Sequence, residues 1–258
     1  MAKSSKKRSP IKKAAGPKPT KKRSKKPSKR DAETKLSLKA THRAKTVLAQ
    51  AEDCTNSLLS TFDSVRAGAH GALTDEQQDL LRAMLVFAAA GLDSALKELM
   101  KGSLPHLAMF ELNVREKLAD FAGRRLRDEH ATQSESAAGY SFLATIITSP
   151  LPIYKVTEAY VNDLTGSSLQ SPQELMKAAI ALGFKPKSVG IDENELKPIF
   201  DARNKIIHEL DVDLDSRAKR YQTPRNRVTI EKWSKKLLGI ANDLVAEVER
   251  KLAAREPK

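Results

Sequence analysis

Residues 199–210, with the sequence IFDARNKIIHEL, bring an arginine, an amide and an imidazole into six consecutive positions. If the stretch is a helix, Arg203 lies in the middle of its apolar stripe, and Asn204 and His208 lie one turn apart on the polar flank. Arginine keeps its charge, so a buried Arg203 needs either a carboxylate partner or a bound anion. Histidine titrates near neutral pH. Together these side chains are suited to binding and cleaving a phosphodiester.

A purely structural interpretation fits the same residues: Arg203 forms a salt bridge with a neighbouring helix, and His208 caps a helix end. The spacing Arg-x4-His is weak by itself, because it occurs twice in this chain. The second occurrence, from Arg125 to His130, has polar and charged residues between and runs into a Thr/Ser/Gly stretch. It is typical of a solvated helix end.

The first occurrence differs in its intervening residues, because Asn follows Arg directly and two isoleucines precede His. The combination Arg-Asn-x-Ile-Ile-His, at residues 203–208, resembles the signature helix of the HEPN superfamily. Members of that superfamily are all-α and commonly dimeric, and many are metal-independent endoribonucleases. The resemblance implies an enzyme that cleaves RNA as a homodimer and leaves a 2′,3′-cyclic phosphate.

The resemblance also implies a role for each side chain. His208 is the general base or acid that acts on the ribose 2′-hydroxyl and the leaving 5′-oxygen. Arg203 stabilises charge in the transition state, and Asn204 orients the phosphate or His208. In several HEPN families a similar helix with a late acid precedes this motif, so Asp93 is predicted as the supporting carboxylate for Arg203. The alternative for Asp93 is an ordinary exposed aspartate.

The residue at position 210 indicates which HEPN subgroup the chain resembles less. Some HEPN toxins have a tyrosine two residues after the histidine, where this chain has Leu210. Regulation through tyrosine modification by a partner nucleotidyltransferase is therefore disfavoured. The pattern of residues along the helices is more similar to that of HEPN proteins grouped with RNA-ligase and phosphatase-type RNA-processing systems. The resemblance implies a toxin or antiviral defence role, with an antitoxin or regulatory partner of unknown identity.

The formal net charge of +14 is concentrated at the N-terminus. Of the 46 Lys and Arg residues, fourteen lie within residues 1–30, which contain no Asp or Glu, and the remaining 32 are balanced by 32 acidic residues. Such a segment is expected to be disordered and to bind RNA or DNA through counterion release. The predicted nucleic-acid-binding residues there are Lys6, Lys7, Arg8, Lys21, Lys22, Arg23, Lys25 and Lys26. A localisation signal and a merely solubilising tail are the alternatives.

Several other classes of site are excluded. Cys54 is the only cysteine, which rules out an intramolecular disulfide and a cysteine-rich zinc site, and its apolar helical face predicts a buried packing role. The five histidines show no metal-ligand spacing, so neither a metal nor another cofactor is predicted. No apolar run approaches the roughly 18–20 residues of a membrane span. The protein is expected to be soluble and cytoplasmic, without a membrane partner.

Apolar residues recur at three- and four-residue steps, which predicts an all-α helical bundle of HEPN type. The predicted divisions are a disordered tail at 1–30, a long helix at 31–73, and a HEPN-like domain at 74–254 with an insertion around 130–170. The 31–73 helix has a heptad-like seam that includes Cys54 and Val65. It is either a coiled-coil arm or, as we favour, a helix of the bundle.

Boundary signals set the expected helix limits. Thr74 and Gln77 form a capping box for a helix that ends before Gly102. Pro105 lies in the first turn of the next helix, and the motif helix starts near Pro198, because proline interrupts a helix begun earlier. Two segments are less regular in the prediction: a loop at 130–140, and a run at 141–148 that is compatible with a strand or a buried helix.

A polar connection, residues 211–227, follows the motif helix. Its second half is basic, and Arg217 and Arg220 are predicted to steer RNA toward the site; a solvated surface is the alternative. For the whole chain, the alternative function is a non-catalytic helical dimerisation module whose basic tail binds nucleic acid. In that case Arg203 and His208 only hold helices together.

Overall fold

The computed structural model describes residues 29–128, 136–212 and 222–254, with side chains described from Lys39 onward except at 128 and 136–140. These residues form eight α-helices, one short 3-10 turn and no strand beyond a single bridged pair, so the predicted all-α bundle is confirmed. The helices are α1 (Lys29–Arg66), α2 (Asp75–Leu107), α3 (Leu112–Asp128), α4 (Ser136–Ile147), α5 (Pro152–Thr165), α6 (Pro172–Ala181), α7 (Glu193–Glu209) and α8 (Arg227–Ala253). Within these ranges, no helix combines the length and apolar character that a membrane crossing needs.

Helix α1 is a helix of the bundle, packed along α2 and α8. Two glycines of α2 allow a close approach. A Cβ at Gly91 would lie 2.3 Å from the Cβ of Ala51, and a Cβ at Gly102 would lie 2.0 Å from the carbonyl oxygen of Ala40. Because no side chain fits at either glycine, the two backbones meet closely and gain dispersion contacts. The N-terminal half of α1 therefore lies beside the C-terminal half of α2.

The predicted seam of α1 is partly wrong. Val65 is 47% exposed, whereas Leu48 and Thr55 are buried. Cys54, which the sequence predicts to be buried, is only partly buried and lines a surface groove together with Phe87. Since α1 packs on two neighbouring helices, its buried face is broader than the narrow heptad seam that one partner requires.

Helix α2 begins as predicted and ends later than predicted. The Thr74 hydroxyl accepts a hydrogen bond from the N–H of Gln77 at 3.3 Å, and the Gln77 side chain accepts one from the N–H of Thr74 at 3.1 Å. The helix then continues through Pro105 to Leu107. Pro105 costs about 3 kcal/mol in a helix interior. Leu104 and Leu107 are fully buried and contribute about 1.5–3 kcal/mol each, so burial outweighs the proline.

Helix α7 begins before Pro198, contrary to the prediction. The carboxylate of Asp192 caps it by accepting hydrogen bonds from the N–H groups of Asn194 at 2.9 Å and Glu195 at 3.4 Å. Leu196, in the following turn, is fully buried. Pro198 is tolerated as an internal helix residue because the N-terminal cap and the buried face hold the turns on both sides of it.

Residues 141–147 belong to α4, so the ambiguous run is helical there, and the predicted loop at 130–140 is wrong from Ser136 onward. This helix packs on α3 and α5. The run is short, apolar and rich in β-branched residues, and periodicity alone cannot distinguish a strand from a helix in such a segment. The contacts with α3 and α5 settle the choice.

Candidate active site

Arg203 lies on the buried face of α7, which packs on α2 and α6. The buried apolar side chains of this face are Leu196, Ile199, Phe200, Ala202 and Ile206. Arg203 Nη1 donates a hydrogen bond to Asn204 Oδ1 at 2.9 Å. Its Nε is buried and has no hydrogen-bond partner among the described residues. An unsatisfied guanidinium N–H is costly in the interior, so an anion that reached it would gain a strong charge-assisted hydrogen bond.

Asp93 influences Arg203 through its charge. Burial lowers the pKa of Arg203, and the negative charge of Asp93 acts in the opposite direction. The Asp93 side chain is only 15% exposed and forms an ion pair with Lys97 at 3.1 Å. Its Oδ1 accepts a hydrogen bond from the N–H of Leu169 at 2.6 Å. Asp93 is therefore a largely buried carboxylate near Arg203, whose direct contacts are with Lys97 and Leu169.

His208 lies in the last turn of α7 and is exposed, and the partly buried Asn204 precedes it by one turn on the same side. Two apolar neighbours are also open to solvent: Ile207 is 39% exposed and Leu210 is 70% exposed. The imidazole thus reaches solvent, whereas Arg203 is partly buried, with its Nε inside and its Nη1 hydrogen-bonded to Asn204. A phosphate at this surface could contact the imidazole and the amide directly.

Helix α7 ends in a backbone conformation that side chains rarely adopt. Leu210 and Asp211 both have positive φ, at 52° and 60°, and the left-handed region costs roughly 1–2 kcal/mol for a residue with a side chain. The N–H of Asp211 donates a hydrogen bond to the carbonyl of Lys205 at 3.0 Å. The helix therefore stops within two residues of His208, and a side-chain interaction adds to this backbone hydrogen bond in holding the turn.

That interaction is the fully buried carboxylate of Asp211. Its Oδ2 accepts hydrogen bonds from Arg82 Nε at 3.1 Å and Arg225 Nε at 2.7 Å, and its Oδ1 accepts one from Arg225 Nη2. Arg82 also donates to Asp79 Oδ1 at 2.9 Å and to the carbonyl of Thr223 at 3.1 Å. We name Arg82, Asp211 and Arg225 the ion cluster. Each of its charges is paired, as a buried ion group requires.

The connection at residues 211–227 is predicted from the sequence to be a solvated surface or to steer RNA. The ion cluster shows that this prediction is wrong for Asp211 and Arg225. The side chains of Asp211 and Arg225 are 0% and 12% exposed. The sequence does contain a signal for this arrangement, because Arg82 interrupts the apolar face of α2 next to Leu81. A buried arginine needs a carboxylate, and the argument applied to Arg203 holds equally for Arg82.

The chain segments before and after residues 213–221 are hydrogen-bonded to each other next to the ion cluster. The N–H of Thr223 donates to the carbonyl of Asp211 at 2.8 Å, and Val212 forms an antiparallel bridge with Gln222. Gln78 Oε1 accepts a hydrogen bond from the N–H of Arg225 at 2.6 Å. This polar network, together with α2, fixes the position at which the chain leaves α7.

All of the predicted nucleic-acid-binding residues lie outside the described part of the chain. They are Arg217 and Arg220, and in the tail Lys6, Lys7, Arg8, Lys21, Lys22, Arg23, Lys25 and Lys26. Where side chains are described, no group of three or more His, Cys, Asp or Glu residues is placed to hold a metal ion.

Comparisons with protein-family models, with curated proteins and with solved structures gave no match.

Proposed function

We propose that this protein is a metal-independent endoribonuclease of HEPN type that acts on RNA as a homodimer. One observation carries the proposal: the Arg203 Nε is buried without a hydrogen-bond partner among the described residues, and an exposed imidazole lies five residues later in the same helix. A side chain that served only to join helices would have its N–H groups satisfied. The Arg-Asn-x-Ile-Ile-His sequence supports the same interpretation.

The proposed reaction is an internal transesterification. His208 takes the proton from the ribose 2′-hydroxyl, the 2′-oxygen bonds to phosphorus, and the bond from phosphorus to the 5′-oxygen breaks. The leaving 5′-oxygen takes up a proton, and a 2′,3′-cyclic phosphate remains. Arg203 stabilises the negative charge that builds on the phosphate oxygens, and Asn204 orients the guanidinium to which it is hydrogen-bonded.

A homodimer supplies the second acid–base group. One imidazole cannot remove a proton from the 2′-hydroxyl and deliver another to the 5′-oxygen at the same time, so His208 of a second copy is proposed for the second task. The exposed apolar side chains of Ile207 and Leu210, next to His208, support pairing of two copies through α7. The physiological role proposed is RNA processing, toxicity or defence.

A second candidate is the non-catalytic dimerisation module with a nucleic-acid-binding tail. The hydrogen bond between Arg203 and Asn204 favours it, because both side chains satisfy part of their polar needs within the same helix. In this candidate the two residues stiffen α7, and His208 has no chemical task. The two candidates differ in whether the purified protein cleaves RNA at all.

The test uses the full chain, a mixed pool of structured RNA, and EDTA throughout. The endoribonuclease should yield fragments with cyclic phosphate and 5′-hydroxyl ends, and His208→Ala should lower the cleavage rate on the order of 10²–10⁴-fold while the fold is kept. His70→Ala is the matched control, because His70 is also exposed and lies in the connection between α1 and α2. Cleavage by His208→Ala at the wild-type rate would exclude His208 from catalysis. Absence of cleavage by the wild type would favour the second candidate.

A further inference from the structure

Two charged side chains on α2 face the segment that carries the candidate site. Arg82 and Asp93 are eleven residues apart in α2, which is three helical turns, so they lie on the same side of that helix. Arg82 binds Asp211, directly after α7, and the charge of Asp93 acts on Arg203 within α7. In sequence, Asn204 and His208 lie between Arg203 and Asp211. The reversed order of the pairs shows that α2 and α7 run antiparallel here.

The two arginines, Arg82 and Arg203, differ in how completely their hydrogen bonds are satisfied. In the ion cluster, Arg82 uses Nε, Nη1 and Nη2 on three different acceptors. Arg203, by contrast, retains a buried Nε without a partner among the described residues. Every guanidinium nitrogen of Arg82 is therefore used, whereas Arg203 keeps an unused donor. Only Arg203 is suited to gaining a partner when a ligand binds.

We infer that Arg82 is a positioning residue for the proposed ribonuclease site: through Asp211 it fixes where α7 ends, and so fixes the His208 imidazole relative to Arg203. This inference rests on the proposed function. Arg82 itself is buried in the interior, and in this inference it does not contact the RNA or take part in proton transfer.

The backbone explains why His208 depends on this contact. Leu210 and Asp211 hold positive φ angles, which leucine disfavours more strongly than aspartate does. Without the buried carboxylate in place, the turn loses its charged anchor and keeps the backbone hydrogen bonds from the N–H groups of Leu210 and Asp211 to the carbonyl of Lys205, so the last turn of α7 opens more readily. His208 lies in that last turn, so its imidazole would lose its fixed position, whereas Arg203 lies more than one turn earlier and would keep its own.

A misplaced acid–base group slows the chemical step and leaves substrate binding largely intact. Arg82→Gln should therefore lower kcat on the order of 10- to 100-fold, with KM nearly unchanged. Arg82→Lys keeps the charge but cannot supply three separate forked donors, so it should recover only part of the rate. Arg225→Gln, at the more exposed arginine of the ion cluster, provides a milder variant if Arg82→Gln does not fold.

The matched control is Lys251→Met. Lys251 is another largely buried cation; it pairs with Glu111 at 3.4 Å and donates to the carbonyl of Gly183 at 2.9 Å, at contacts that do not involve α7. It should lower Tm in the same way as the Arg82 variants without lowering kcat. Amide hydrogen exchange gives a readout that does not depend on catalysis: the amides of residues 206–211 should exchange faster in Arg82→Gln and stay protected in Lys251→Met.

The outcomes separate the two claims. Faster exchange at 206–211 together with a kcat loss confined to the ion-cluster variants supports the inference. Unchanged exchange at 206–211, or a kcat loss of equal size in Lys251→Met, overturns it. If the wild-type protein does not cleave RNA, the proposed function fails, and the exchange measurement alone still decides whether Arg82 fixes the end of α7.

Discussion

The Asp93 carboxylate accepts a hydrogen bond from the backbone N–H of Leu169 at 2.6 Å, and so joins α2 to the segment just before α6. The same carboxylate supplies the negative charge that acts on Arg203. The Asp93 side chain therefore binds a neighbouring backbone segment and also contributes to the charge around Arg203. Removing it should affect the two together.

We predict that Asp93→Ala lowers the free energy of unfolding by about 1.5–3 kcal/mol, because a charged hydrogen bond is lost and Arg203 keeps a buried charge with less compensation. Asp93→Asn should cost less, since its amide oxygen can still accept from Leu169. Urea unfolding measures both. Asp53→Ala, at an exposed aspartate of α1, is the control and should change stability by about 0.5 kcal/mol or less. Equal effects of Asp93→Ala and Asp53→Ala would contradict the prediction.

The proposed dimer makes a prediction at Leu210. Leu210→Asp places a charge in the exposed apolar surface beside His208, and aspartate tolerates positive φ better than leucine does. The variant should therefore fold normally and sediment as a monomer, with cleavage lost. Ile147→Asp, at an equally exposed side chain of α4, should leave the assembly unchanged. A wild-type protein that is strictly monomeric in the presence of RNA would rule out the shared site.

The basic composition of residues 1–30 makes a prediction about salt dependence. Deletion of residues 1–28 removes twelve Lys and Arg residues and leaves α1 whole. RNA binding should weaken at low salt, and the slope of log K against log salt should become shallower, because fewer counterions are released. Fluorescence anisotropy over a salt series measures the slope. An unchanged slope would show that the tail does not contact the nucleic acid.

The close approach of α1 and α2 predicts opposite outcomes for two glycines. Gly102→Ala would place a Cβ 2.0 Å from the carbonyl oxygen of Ala40, so it should destabilise the fold by about 1–3 kcal/mol through overpacking. Gly239→Ala in α8 has no heavy atom within 4 Å of the added Cβ and should stabilise by about 0.5–1 kcal/mol through helix propensity. Thermal unfolding of the two variants gives the sign of each effect. Stabilisation by both would mean that α1 and α2 are farther apart.

Tyr160 predicts a stability loss at alkaline pH. Burial raises the pKa of Tyr160 to about 12, whereas the unfolded chain ionises near the ordinary value of about 10. The stability due to its neutral hydroxyl is fully present below the lower value and is lost as pH rises through the higher one, by at most about 1.4 kcal/mol per pH unit. Tyr160→Phe should remove this part of the slope. Parallel pH profiles for wild type and variant would contradict the shifted pKa.

Local signals in the sequence were sufficient for most of the helices, although not for α4, and for several of their ends. The capping box of Thr74 and Gln77 involves four consecutive residues, so it could be predicted without knowledge of the fold. The continuation of α2 through Pro105 could not, because it depends on burial of Leu104 and Leu107 in a core built from distant helices. Local propensity and tertiary packing compete at that position, and packing contributes more free energy than the proline costs.

The candidate site likewise has one part that local sequence could predict and one part that it could not. Arg203, Asn204 and His208 are close in sequence, so their placement on one helix follows from spacing alone. One partner of Asp211 is Arg82, 129 residues earlier in the chain, and no periodicity relates the two. Sequence reasoning could establish that a buried arginine needs a carboxylate, but only the fold could identify which carboxylate it would be.

Helices α1 and α8 are joined across almost the whole chain. The Thr41 hydroxyl donates to Glu249 Oε1 at 2.6 Å over a separation of 208 residues, and Lys45 pairs with the same carboxylate at 2.6 Å. During synthesis from the N-terminus, α1 and α2 emerge first and must wait for α8 to cover them, with their apolar faces open to aggregation in the meantime. The motif of α7 also emerges before α8. Closure of the bundle therefore follows the emergence of α8, and a ribosome that stalls before residue 227 releases a chain that contains the whole motif but lacks the helix needed to complete the core.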